Sequence, residues 1–127
     1  MASKLTGAGP DDYDGVPYEG LHFDVIIWPN PDHIRKRSQR TGNPGEIDLE
    51  PEWANEAVQD PFSVRGPGLS KSGLTVRVIG RSHTARRILA VYIIPADRPP
   101  ATQWIGATAH VASRRERAVY ATQREGP

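Results

Sequence analysis

The sequence predicts an α+β fold: an antiparallel β-sheet of about four to five strands packed with two N-terminal helices and a C-terminal helix. Two changes of period predict it. Helix punctuation and helical apolar spacing occupy residues 30–60, a two-residue alternation takes over from Phe62, and helical spacing returns after Ala109. Strand direction follows from the short connections within the alternating region, which favour an antiparallel meander.

Residues 1–20 hold Gly7, Gly9, Pro10, Asp11, Asp12, Asp14, Gly15 and Pro17 with little apolar content, so they read as a flexible tail. A single domain then spans 21–127. Its first strand is LHFDVIIW, residues 21–28, a β-branched and aromatic run suited to a mostly buried position. Asn30 as cap, Pro31 at the first helical position and Gly42 as stop predict a helix from about Pro31 to Thr41. Ile34 is nearly its only apolar residue, which leaves Arg35, Lys36, Arg37 and Arg40 largely in water. In LEPEWANEAVQDP, Pro51 opens a second helix, Glu50 and Glu52 favour its positive end, and Pro61 lies past its end. Trp53, Ala54, Ala57 and Val58 share its packing face.

From Phe62 the strands follow one another. FSVR is a short one, GPGLSKSG turns the chain, and LTVRVIG sets Leu74, Val76 and Val78 against Thr75, Arg77 and Ile79. RSHTA turns it again into RRILAVYIIP, apolar on both faces and therefore central. ADRPPA is a polar turn, and TQWIGATA is a last strand interrupted by Gly106. The closing helix contains VASRRERAVY. At about 100° per residue, Ala112, Glu116, Val119 and Tyr120 share a face, with Arg114 and Arg117 pointing away from Ala112.

Composition narrows the function classes. The 127 residues suit one domain, and the absence of cysteine excludes disulfides and thiolate metal sites while permitting a reducing cytoplasm. No apolar run approaches the roughly 20 residues of a membrane span, and the first residues lack a signal-peptide core, so a cytoplasmic protein is expected. The net charge of +1 hides a division: residues 1–60 hold twelve acids against five bases, residues 61–127 three acids against eleven bases. That basic half suits phosphates or an acidic partner, and arginine dominates it. The four histidines are scattered, no carboxylate cluster has ligand spacing, and there is no phosphate loop, nucleophile elbow or zinc motif. No metal or cofactor is expected.

Three pieces carry a family resemblance: IIWPNPDHIRK, EWANEAVQDP, and IGRSHTARRILAVYII with WIGATAHVASRRERAVY. With them the chain resembles, from about Phe23 to Tyr120, the BrnT-like toxins of the RelE/ParE-type superfamily. Gly80, Ser82, Arg87, Leu89, Ala109, Ala112, Glu116, Arg117 and Tyr120 match the family's hairpin and closing-segment patterns. The chain departs where His110 replaces a strand-end arginine, Ile105 a basic residue, Ala85 the hairpin glycine, and Arg40–Thr41–Gly42 a Lys-His-Gly. The resemblance implies a RelE-like fold and a toxin of a bacterial toxin–antitoxin pair, an endoribonuclease that blocks translation. Its partners would be a cognate antitoxin and RNA, with operator DNA reached only through the antitoxin. The alternative is a non-catalytic module of the same fold that pairs with an antitoxin or nucleic acid.

Cutting RNA without metal requires directing a 2′-hydroxyl at its phosphate, holding the growing phosphorane charge, and protonating the leaving oxygen. The catalytic candidates are Arg77, Arg87, His110, Glu116, Arg117 and Tyr120, the two strand arginines being placed to share a face. Arginine suits the phosphorane, His110 is of the residue type suited to proton transfer, Glu116 can orient an arginine, and Tyr120 can stack on a base. Candidates for RNA contact are His33, Arg35 and Lys36 on the first helix, His83 and Arg86 in the hairpin, and Arg114 on the last helix. Trp53 and Trp104 read as core or interface residues.

Overall fold

In the computed structural model, residues 18–68, 75–96 and 102–125 are described. Residues 1–17 of the expected tail, and most of the turns GPGLSKSG and ADRPPA, lie outside the described residues. Within the span read as tail, Tyr18–Gly20 form a 3-10 turn, and Tyr18 packs on the core.

The fold is α+β, with a mixed five-stranded sheet in the order β1-β5-β4-β3-β2. Strands β2 (Val64–Pro67), β3 (Val76–Ser82), β4 (Arg87–Pro95) and β5 (Gln103–Val111) form the expected antiparallel meander. The first strand departs from expectation. β1 is only Val25–Ile27 and pairs parallel to β5, Ile26 opposite Trp104. No tight turn joins β1 to its neighbour, so the hairpin argument for antiparallel pairing has no purchase there. Nor is β1 mostly buried. As an edge strand it leaves Val25 51% and Ile27 43% exposed, both facing away from the core.

The first helix is two short ones, α1 (Asp32–Arg35) and α2 (Arg37–Thr41), broken at Lys36. Residues 46–49 break it by competition. The Leu49 amide takes the Ile34 carbonyl at 2.9 Å, and the Asp48 carboxylate accepts from the Ser38 amide at 2.8 Å, which are the two ends of the helical bond that would have crossed the break. Gly42 ends α2 in the left-handed conformation, φ 69°, as its position foretold.

Helix α3 (Pro51–Gln59) has Pro51 in its first turn and buries Ala54, Ala57 and Val58, with Trp53 partly buried against the core. It lies directly on β3: a side chain at Gly80 would collide with the Ala57 carbonyl oxygen. The main core forms between this helix layer and one sheet face, where Val76, Val78, Leu89, Val91, Ile93, Trp104 and Ala109 meet Ile34, Leu49 and the α3 alanines. The Trp104 indole packs edge-on to Phe23 at 4.8 Å and donates to the His22 carbonyl at 2.9 Å. Trp28 lies against Gly106, where a side chain would strike its ring, and donates to Asn55 of α3 at 2.9 Å.

Helix α4 (Arg114–Glu125) crosses the opposite sheet face over Ile79 and Ala90, both buried. Ala112, Glu116 and Tyr120 form its packed seam as expected, whereas Val119 is 42% exposed. The seam is narrow because α4 covers only part of the sheet face. Among the described residues, no helix is long and apolar enough to cross a membrane.

Candidate functional site

The sheet face that α4 leaves open carries the polar residues of interest. Register places Gly66, Arg77, Tyr92 and Thr108 in one row across β2 to β5, and Ile79, Ala90 and His110 in the row two residues along. Alternation turns Arg77, Tyr92, Thr108 and His110 to the α4 side, since their strand neighbours Val76, Val78, Val91 and Ala109 belong to the core on the other side. A β-bulge at Ala107, between the pairs Tyr92–Thr108 and Ile93–Gly106, keeps Thr108 and His110 on this face while Trp104 and Gly106 stay in the core.

Arg77 is half-buried and held by α4. Its Nη1 lies 3.4 Å from a Glu116 oxygen, and its Nε is buried without a hydrogen-bond partner. Glu116 is itself fixed by a reciprocal cap. It accepts from the Ser113 amide at 2.8 Å, and its own amide donates to the Ser113 hydroxyl at 3.1 Å. The sequence S-R-R-E thus starts the helix and aims one carboxylate back at the sheet. Glu116 is the inward residue of this arginine-rich segment, and Arg114, Arg115 and Arg117 are exposed. Arg117 also folds back, donating to the Ala112 carbonyl at 2.9 Å.

His110 lies 2.9 Å through Nδ1 from the Val111 carbonyl, so Nδ1 carries hydrogen and the neutral ring presents a bare Nε2. Nε2 is 3.5 Å from the Tyr92 hydroxyl, with the rings 5.7 Å apart and tilted by 36°. Glu46 lies near enough to feel His110: its carboxyl is held below the ordinary range first by hydrogen bonding to Arg37, with smaller pulls from His110 and Arg40. Tyr92 was absent from the sequence-derived candidates. Its signal was its place in the central strand, one turn of the alternation from Ala90, but only the register reveals its neighbours.

Two catalytic candidates lie elsewhere. Arg87 does not share Arg77's face: it pairs with Ser82, whose buried hydroxyl donates to Glu56 of α3 at 2.7 Å, so alternation turns Arg87 to the α3 side. Within one strand the two-residue period is legible, whereas the odd offset between Arg77 and Arg87 across the hairpin is not. Tyr120 is buried and structural, donating to Asp60 at 2.5 Å, which also accepts from the Arg81 amide at 2.8 Å and the Phe62 amide at 2.9 Å. It ties α4 to the end of α3 and offers no face to a base.

The RNA-contact candidates disperse. Arg35 pairs with Glu50 at 2.9 Å, Lys36 with Asp32 at 3.6 Å, and His83 with Glu56 at 3.3 Å. His33 lines a shallow hollow of about 360 Å³ with Lys36 and Arg40, and its proton affinity is lowered by burial and then by Arg40 and Arg37. Arg114 is exposed. Arg86 occupies the hairpin in the left-handed region at φ 57°. Two hollows flank Asp60: one of about 370 Å³ between the end of α3, Arg65 and Gln123 of α4, and one of about 590 Å³ between α3, Arg81 and His83.

Compared with models of protein families, with curated proteins and with solved structures, the chain matches none. Chemistry therefore rests on the geometry. A guanidinium tethered at one edge, a histidine with a defined bare nitrogen and a phenol, all on one uncovered surface, suit an anionic substrate that exchanges a proton.

Proposed function

We propose that the chain is the toxin of a bacterial toxin–antitoxin pair, a RelE-like, BrnT-type endoribonuclease that acts in the cytoplasm and cleaves single-stranded RNA by attack of a 2′-hydroxyl on the adjacent phosphate. The observation that carries the reading is the placement of Arg77 of β3 and His110 of β5 on the same open sheet face, with β4 between them and their rows two residues apart. Arg77 would hold the phosphate and the charge that grows on it, and His110 would take the 2′-hydroxyl proton at Nε2. Arg117, at the rim, would add positive field rather than contact. The cognate antitoxin would cover this face, reaching operator DNA in its own right.

The experiment is incubation of purified protein with labelled single-stranded RNA in the presence of a chelator, alongside His110→Ala and Arg77→Ala. Cleavage by the wild type, lowered about 10²-fold or more in either variant, supports the reading. RNA left intact by the wild type, both free and on ribosomes, overturns it in favour of a non-catalytic module. Expression should arrest growth, and co-expression of the adjoining small reading frame should relieve it.

A further inference from the structure

We infer that Tyr92 is the general acid of this site, giving its proton to the leaving group and recovering the substrate's proton from His110 in a relay. The inference rests on the ribonuclease reading above and adds a catalytic residue to it. Three observations place Tyr92 there. Its hydroxyl is 3.5 Å from His110 Nε2, the nitrogen left bare by the Nδ1 contact to Val111. It stands in the same cross-strand row as Arg77, the phosphate-binding candidate. The other acids that approach this surface are occupied: Glu46 by Arg37, and Glu116 by the Ser113 amide and Arg77.

The proton balance closes without another reactant. The 2′-O–H bond breaks as its proton passes to His110 Nε2 and the 2′-oxygen bonds to phosphorus. The P–O5′ bond breaks as the Tyr92 hydroxyl gives its proton to O5′. The Nε2 proton then returns to the Tyr92 oxygen, leaving a 2′,3′-cyclic phosphate, a 5′-hydroxyl and both side chains as they began. The 3.5 Å separation is long for direct transfer and has to shorten when substrate is bound, as such contacts commonly do. Arg77 beside the phenol offsets the negative charge that passes through its oxygen.

The test uses the full chain and two RNA substrates that differ only at the cleaved bond, one with the ordinary 5′-oxygen and one with a 5′-bridging sulfur, whose thiolate leaves without protonation. Tyr92→Phe should lose about 10²-fold or more on the oxygen substrate and approach the wild-type rate on the sulfur substrate, while His110→Ala stays slow on both. Equal loss of both substrates in Tyr92→Phe, or loss of neither, overturns the relay while leaving the nuclease reading in place. A readout independent of turnover is the ¹⁵N resonance of the His110 ring: Tyr92→Phe should move Nε2 and leave Nδ1 protonated. An unmoved Nε2 overturns the relay. A moved Nε2 in a wild-type protein that cuts neither substrate overturns the nuclease reading, and the relay as catalysis with it, while preserving the contact.

Discussion

Glu116 has two tasks that two substitutions separate. Its carboxylate accepts the Ser113 amide at 2.8 Å as the second half of the cap, and it faces Arg77 at 3.4 Å. Glutamine keeps an oxygen for the cap and removes the charge; alanine removes both. The ion pair joins a side chain 36% exposed to one 10% exposed at a long distance, so with the favourable position near the helix N-terminus it is worth about 1 kcal/mol. The cap adds about another 1 kcal/mol. Urea unfolding followed by circular dichroism at pH 7 should therefore place Glu116→Gln about 1 kcal/mol and Glu116→Ala about 2 kcal/mol below wild type, with unchanged slopes. Equal losses in the two variants would refute the argument, because the Ser113 bond would then contribute nothing. Both should also slow RNA cleavage, since Arg77 loses its tether.

Tyr120→Phe should lower stability by about 1–2 kcal/mol through the buried bond to Asp60, seen as a lower urea midpoint, and leave cleavage unchanged well below the transition. A large cleavage loss in the folded variant would contradict the structural role. Arg86→Gly should raise stability by about 0.5–1 kcal/mol by releasing a left-handed arginine; a destabilised variant would count against the turn geometry. Acid should destabilise the fold in two stages. His33 has a lowered folded pKa, so the unfolded chain binds its proton more readily and stability falls as pH drops through the ordinary value of 6.5. Glu46 and Glu56 have lowered carboxyl pKa values, the Glu56 value despite its burial and because of Thr84 and Ser82, so their contribution is present above 4.5 and is lost as pH falls through the folded values. His33→Gln should abolish the first stage in thermal melts taken between pH 7.5 and 5.5 and leave the second in melts taken below pH 4.5.

Strands β3, β4 and β5 and helices α3 and α4 were legible because each carries its own period and punctuation: Val76 and Val78 alternate, Pro51 opens a helix, and Ala112, Glu116 and Tyr120 recur at helical spacing. What local pattern does not encode is register. The parallel partner of Ile26 is Trp104, far along the chain, and nothing in LHFDVIIW names it. The break at Lys36 comes from Asp48 and Leu49, beyond the helix itself. For the site, Arg77 and His110 were legible as residue types, and the structure brings them to one face. Alternation sets Arg87 and Tyr92 on opposite faces of one apolar strand, but only the pairing with Ser82 and Arg77 assigns which side each takes.

The clasp between Val25–Ile27 and the start of β5 has a consequence for the order of assembly. On a growing chain the N-terminal strand has no sheet to join until residues 103–105 have been made, by which time the meander from β2 to β4 is complete. Trp104, with its indole on the His22 carbonyl, fastens the two ends of that long loop. Since His110 and α4 follow Trp104, a nascent chain stalled short of it carries Arg77 and Tyr92 on most of a sheet but lacks His110 and the helix that holds Arg77.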